Sequence, residues 1–79
     1  MIEKQEIRDF LTTLVNKDVR IGDEDSLLAT RLLDSLKIIE LVTFLESHYK
    51  VTFDSDELIP DNLDTINAIV GLLERKGVS

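Results

Sequence analysis

Apolar residues recur at i, i+3, i+4 and i+7 near both ends of this chain, as Ile7, Phe10, Leu11 and Leu14 and again as Ile66, Ile69, Val70 and Leu73. That spacing lines up one face of a helix. A third set, Ile38, Leu41, Val42, Leu45 and Tyr49, lies between them in the longest periodic stretch free of Gly and Pro. With 79 residues there is room for one domain, so the three stripes must meet in a single core. A domain of this size buries only ~60% of the surface its unfolded chain exposes, and that core has to be compact.

The first helix is predicted from about Ile2 to Asn16. The second runs from about Ser35 to Tyr49, and the last starts near Asp64 or Thr65 and stops at Gly77. Between the first two, Lys17 to Leu33 keeps no period and holds Gly22 and the acid run Asp23-Glu24-Asp25. It reads as a long loop with room for one short turn, anchored by Val19, Ile21, Leu27, Leu28 and Leu32; long loops in small domains tend to be functional or pinned down. Val51-Thr52-Phe53 could be extended but is too short to found a sheet. Ser55 to Ile59 reads as a single helical turn stopped by Pro60. The expected fold is therefore all-α, a bundle of three main helices and a short one, in a single domain over residues 1–79.

Capping places the start of the second helix. With Asp34 as N-cap, Leu33 precedes the cap and Ile38 lies four residues into the helix, which makes a hydrophobic staple. With Ser35 as cap the staple is lost. Asp34 is thus assigned the cap, and Ser35 falls in the first turn with its hydroxyl free to face solvent. At roughly 100° per residue the side opposite the apolar stripe carries Leu36, Ile39, Glu40, Thr43, Glu46 and Ser47. Leu36 and Ile39 are apolar on a face that should be wet. Such residues also occur singly without consequence, but here they form an apolar centre ringed by Glu40 and Glu46, directly after Ser35.

Asp34-Ser35-Leu36 sits where the loop meets this helix. A helix N-terminus offers unpaired N–H groups and positive dipole density, so a phosphate esterified to Ser35 would be stabilised there. A serine or aspartate in that position also serves as a plain cap, and the tripeptide recurs as Asp25-Ser26-Leu27. Context separates the two copies, because only Ser35 heads a long amphipathic helix.

Other chemistries fail on composition. No cysteine is present, which removes disulfides, thiolate metal sites and a Cys nucleophile together. His48 is the only histidine, so no Ser-His-Asp arrangement can be assembled, and it is expected to flank the apolar stripe beside Tyr49. Asp54, Asp56 and Glu57 lack the Gly and the Glu that a calcium loop requires. Nine Lys and Arg against 16 Asp and Glu give a net charge of −7 with the bases scattered, which argues against nucleic acid and points toward basic protein partners or merely toward solubility. The first residues are too polar for a signal peptide, and no apolar run approaches the ~18 residues of a membrane span. The expectation is a monomeric, cytoplasmic, non-enzymatic protein with no metal.

Taken in this order the chain resembles an acyl carrier protein. The resemblance rests on Leu32-Leu33-Asp34-Ser35-Leu36, then Ile39-Glu40-Leu41-Val42 with Leu45-Glu46, then the acidic turn after Val51-Thr52-Phe53 and Leu63-Asp64-Thr65-Ile66. It implies a four-helix bundle whose Ser35 carries a 4′-phosphopantetheine arm, attached from coenzyme A by a magnesium-using phosphopantetheinyl transferase. The arm's thiol would hold acyl or aminoacyl groups as thioesters for partner enzymes that load and transfer them. Asp34 would help the transferase position its metal, and Leu36, Ile39, Glu40, Thr43 and Glu46 would meet basic partner surfaces.

Two features depart from the carriers of bacterial fatty-acid synthesis. Residues 35–50 hold Glu40 and Glu46 against Lys37 and Lys50 and sum to zero, whereas those carriers have a strongly acidic second helix. The acids lie instead at Asp54, Asp56, Glu57, Asp61 and Asp64, and Lys37 would repel a basic patch. The Leu32-Leu33 lead-in looks more like stand-alone carriers of specialised pathways, aminoacyl and D-alanyl carriers among them. A specialised carrier is the favoured reading, ahead of a housekeeping fatty-acid carrier and of an unmodified helical adaptor that binds through Leu36 and Ile39.

Overall fold

A computed structural model describes residues 2–15 and 20–78. Four α-helices follow one another: α1 (Lys4–Val15), α2 (Ser35–Tyr49), α3 (Pro60–Leu63) and α4 (Ile66–Arg75), with a 3-10 turn at Ser55–Glu57. No strand occurs among the described residues, and Val51 to Phe53 is irregular. The all-helical bundle anticipated from the apolar stripes is the fold. Asn16, at the expected end of the first helix, and the expected anchor Val19 lie outside the described residues.

The stripes meet as their spacing requires, with small rotations. On α1, Ile7, Leu11 and Val15 are buried while Phe10 and Leu14 are half-buried. Phe10 is drawn to the edge of the stripe because its ring stacks on Phe44 of α2, centroids 4.0 Å apart. On α4, Ile66, Ile69, Leu72 and Leu73 are buried, so Leu72 takes the inner place expected for Val70. Leu41 and Leu45 of α2 have no exposed surface and complete the core. Removing a side chain such as Leu41 would cost about 2–5 kcal/mol.

Both ends of α4 are set by local chemistry. Thr65 is the N-cap, its hydroxyl accepting the Ala68 N–H at 3.0 Å. At the other end Gly77 adopts φ +89°, with Val78 N–H donating to the Leu73 carbonyl and Gly77 N–H to that of Glu74. This pair of bonds is a Schellman motif, whose left-handed residue favours glycine.

Pro60 does more than stop a turn. The turn before it ends at Glu57, and Pro60 then opens α3 at its first helical position, where a fixed φ and a missing N–H cost nothing. Both pieces are tied to the C-terminal end of α4. Glu57 pairs with Lys76 at 2.9 Å, Asn62 donates to the Glu57 carbonyl, and Arg75 donates to Asn62.

The loop from Arg20 to Leu33 is fastened along its length. Ile21, Leu27 and Leu33 are buried, and Leu28 and Leu32 pack against the core. Polar groups add a second set of ties. The Asp64 carboxylate accepts the Ser26 hydroxyl at 2.7 Å and the Leu28 N–H at 3.1 Å, while the Asp64 carbonyl accepts the Leu27 N–H at 2.6 Å. Arg8 of α1 donates to the Ile21 carbonyl and pairs with Asp23. In place of the one short turn expected, the loop makes two, at Asp23–Glu24 and at Leu27–Arg31, and Arg31 closes the second at φ 60°.

Candidate functional site

The start of α2 is built by the residues on either side of Ser35. Asp34 is extended (φ −126°) and its carboxylate accepts the Lys37 N–H at 2.9 Å, as an N-cap must. Leu33 is buried one residue earlier, and Ile38 packs on the core four residues later, so the staple is present. The Lys37 N–H, aided by the Lys37 ammonium 3.5 Å from the other carboxylate oxygen, holds the Asp34 carboxyl below the usual aspartate range. Ser35 therefore stands exposed in the first turn, its hydroxyl free of any protein hydrogen bond among the described residues.

Ser26, in the second copy of the tripeptide, is placed differently. Its hydroxyl donates to Asp64 and accepts the Ala29 N–H at 3.0 Å, and the side chain is half-buried. Leu27 has no exposed surface, whereas Leu36 is 66% exposed. Asp25 turns back to accept the Gly22 N–H rather than capping a helix.

The outward face of α2 divides in the structure. Leu36 and Ile39 (62% exposed), Glu40 and Thr43 all face solvent, with the Thr43 hydroxyl donating to the Ile39 carbonyl. Glu46 is half-buried, and its carboxylate accepts the Phe53 N–H at 2.9 Å. It fastens the chain leaving α2, a role that spacing along one helix cannot reveal. His48 lies beside Tyr49, edge-on at 4.8 Å, but it is exposed, stacks on Phe44 at 5.1 Å and faces Glu6 of α1. Lys37 is more than a charge that repels a basic patch, since it pairs with Asp34 at the i, i+3 spacing that permits such contacts.

A free hydroxyl in the first turn of a fifteen-residue helix suits a phosphodiester. The orphan N–H groups and dipole there favour added negative charge. Comparison with known proteins points the same way. Residues 5–73 match the family described as phosphopantetheine attachment site.

The chain belongs to the phosphopantetheine-binding carrier family. Membership brings a covalently attached 4′-phosphopantetheine group, and the exposed serine at a helix start fits one. Among curated relatives, an acyl carrier protein homolog of Mycoplasmopsis pulmonis is 36% identical over 71 residues, covering 89% of this chain and 94% of its own. D-alanyl carrier proteins of Leuconostoc mesenteroides and Leuconostoc citreum are 30% and 28% identical, over 90% and 94% of this chain and 91% and 95% of their own lengths. The match spans nearly the whole carrier domain in each case. No helix among the described residues is long and apolar enough to cross a membrane.

Proposed function

We propose that Ser35 is the residue that carries the arm, and that the carrier holds aminoacyl groups, D-alanyl foremost, for a specialised biosynthetic pathway. The observation that supports Ser35 is its free, exposed hydroxyl at a capped helix start, against the engaged hydroxyl of Ser26. When bound, the arm supplies a thiol that holds cargo as a thioester. The chain's own residues do the rest. Asp34 fixes the backbone around Ser35 and presents a carboxylate beside the modified oxygen for the transferase's metal. The N–H groups of the first turn and the helix dipole steady the phosphate. Leu36, Ile39, Glu40 and Thr43 form the docking face, with Glu46 at its edge, and the loading and transfer enzymes meet them there. Coenzyme A as donor goes with a cytoplasmic location.

The aminoacyl cargo is supported by the D-alanyl carrier proteins among the relatives and by residues 35–50, whose charges sum to zero. A second reading, a carrier of fatty acyl groups, has support from the acyl carrier protein homolog at 36% identity.

Both layers are tested by intact mass. Incubation with coenzyme A, magnesium and a broad-specificity phosphopantetheinyl transferase is expected to add one phosphopantetheine to wild type and Ser26→Ala and none to Ser35→Ala. Unchanged mass in folded wild type, or a gain that survives Ser35→Ala, overturns the site. The modified protein then meets ATP with D-alanine and a D-alanine-adenylating ligase, or ATP with fatty acids and an acyl-activating synthetase. Loading by the second alone overturns the aminoacyl assignment.

A further inference from the structure

A relay of hydrogen bonds runs to the start of α2 from Asp64, the residue that joins α3 to the Thr65 cap of α4. The Asp64 carbonyl accepts the Leu27 N–H, and its carboxylate accepts the Leu28 N–H and the Ser26 hydroxyl. One residue thus grips three in succession, across 36 to 38 positions of sequence. Leu27 passes the hold forward, its carbonyl accepting the Leu32 N–H at 2.9 Å and the Leu33 N–H at 3.1 Å. Leu33 adjoins Asp34, whose carboxylate and carbonyl accept the Lys37 and Ile38 N–H groups that open α2. Ser35 stands where the relay meets the helix.

The relay works against the backbone. Arg31 lies within the Leu27–Leu33 hold at φ 60°, in the left-handed region that a side chain opposes. Such a residue persists only where its surroundings over-determine it. Local bonds close the turn, Thr30 N–H to the Ser26 carbonyl and Arg31 N–H to that of Leu28, but they do not aim it at anything. Two outside holds remain, the burial of Leu27 and Leu33 in the core and the grip of Asp64. Apolar burial is non-directional, whereas a hydrogen bond weakens steeply with angle. The aim of the turn, and of the Asp34-Ser35 pair that follows it, is therefore set by Asp64.

We infer that Asp64 is a positioning residue for the modification of Ser35, holding the Asp34 carboxylate and the Ser35 hydroxyl in the orientation the transferase uses. It bonds to neither of them and acts through Leu27 and Leu33. This rests on the reading of Ser35 as the attachment residue. Leu36, Ile39 and Glu40 are carried by α2 itself, so the docking face survives loss of the relay. The loss of Asp64 falls on turnover and spares binding.

The test is steady-state modification by a broad-specificity phosphopantetheinyl transferase, with amide hydrogen exchange on the same unmodified proteins and folding checked by circular dichroism. Asp64→Ala leaves the Leu28 N–H and the Ser26 hydroxyl without their acceptor, and is expected to lower kcat about tenfold with KM little changed, the scale of a displaced reacting geometry. Asp64→Asn returns an acceptor oxygen and brings kcat back to within about twofold of wild type. Ser26→Ala cuts one bond of the grip and lowers kcat about threefold, and it carries the test where Asp64→Ala does not fold. In the cut variants, exchange at the Leu32, Leu33 and Lys37 amides accelerates more than at Leu45 in the middle of α2. Ile69→Val, a loss in the core face of α4, controls for simple destabilisation and keeps the wild-type kcat. Wild-type kcat in the folded cut variants, the same loss of kcat in Ile69→Val, or exchange rising equally at Leu45 overturns the positioning role. No mass gain in wild type, or a gain that survives Ser35→Ala, overturns the reading of Ser35 instead.

Discussion

Asp25-Ser26-Leu27 and Asp34-Ser35-Leu36 are the same three residues nine positions apart, and the fold uses them in opposite ways. In the first, the leucine is in the core and the serine hydroxyl is tied to Asp64 and Ala29. In the second, the leucine is on the surface and the serine hydroxyl is open. A tripeptide has no fate of its own; its downstream neighbours decide. Leu27 to Arg31 makes a single turn that ends in a left-handed residue, so Ser26 can cap only that turn. After Ser35 comes an amphipathic helix whose stripe turns the core-facing work over to Ile38, Leu41 and Leu45, and this leaves the start of the helix pointing outward.

The contrast can be broken from the largest effect downward. Leu27→Ala should cost about 2–5 kcal/mol of stability, the range for truncating a buried leucine, whereas Leu36→Ala should leave the urea midpoint where it was. Equal losses would mean the two leucines are not in the environments described. Next, Ser26→Ala should cost about 1 kcal/mol, because the half-buried Asp64 carboxylate loses its donor. Ser35→Ala should be near neutral in the same denaturation experiment.

Asp34 sharpens the comparison through pH. Its folded-state pKa is lowered, chiefly by the Lys37 N–H, so its contribution is present above the unfolded aspartate value of about 3.9 and is lost as pH falls through the lower folded value. Asp34→Ala should therefore destabilise the protein at neutral pH, and its difference from wild type should shrink in acid. Asp34→Asn, which can still cap, should lie between them at neutral pH. A difference that is constant with pH would show that the carboxylate is not the cap. The smallest effect concerns salt. Of the acids over residues 51–65, Glu57 is paired with Lys76 and Asp64 holds the loop, so only Asp54, Asp56 and Asp61 remain exposed and unpaired among the described residues. Added magnesium or sodium chloride should raise Tm slightly by screening them; a Tm independent of salt contradicts this.

Features confined to a few neighbouring residues were legible in the sequence. The Asp34 cap, the Leu33–Ile38 staple and the Gly77 stop each need contacts across five residues or fewer, and each stands where the spacing put it. What escaped was carried by distant partners. Ser26 reaches Asp64 across 38 positions, and Glu46 reaches the Phe53 N–H beyond the helix end. Glu57 reaches Lys76 at the end of α4 across 19 positions, and Asn62 reaches Arg75 across 13, ties that no local rule at Pro60 could supply. The site divides the same way. Ser35 and its cap could be singled out from the sequence, while the withdrawal of Glu46 needed the packed bundle.

That the surroundings and not the tripeptide select the modified serine can be examined on the wild-type protein itself. Trypsin cuts after Arg20, Arg31 and Lys37, so Ser26 and Ser35 fall in separate peptides, residues 21–31 and 32–37. After modification and digestion, tandem mass spectrometry should find phosphopantetheine on the 32–37 peptide and none on 21–31. Phosphopantetheine on Ser26, alone or alongside Ser35, would contradict the account.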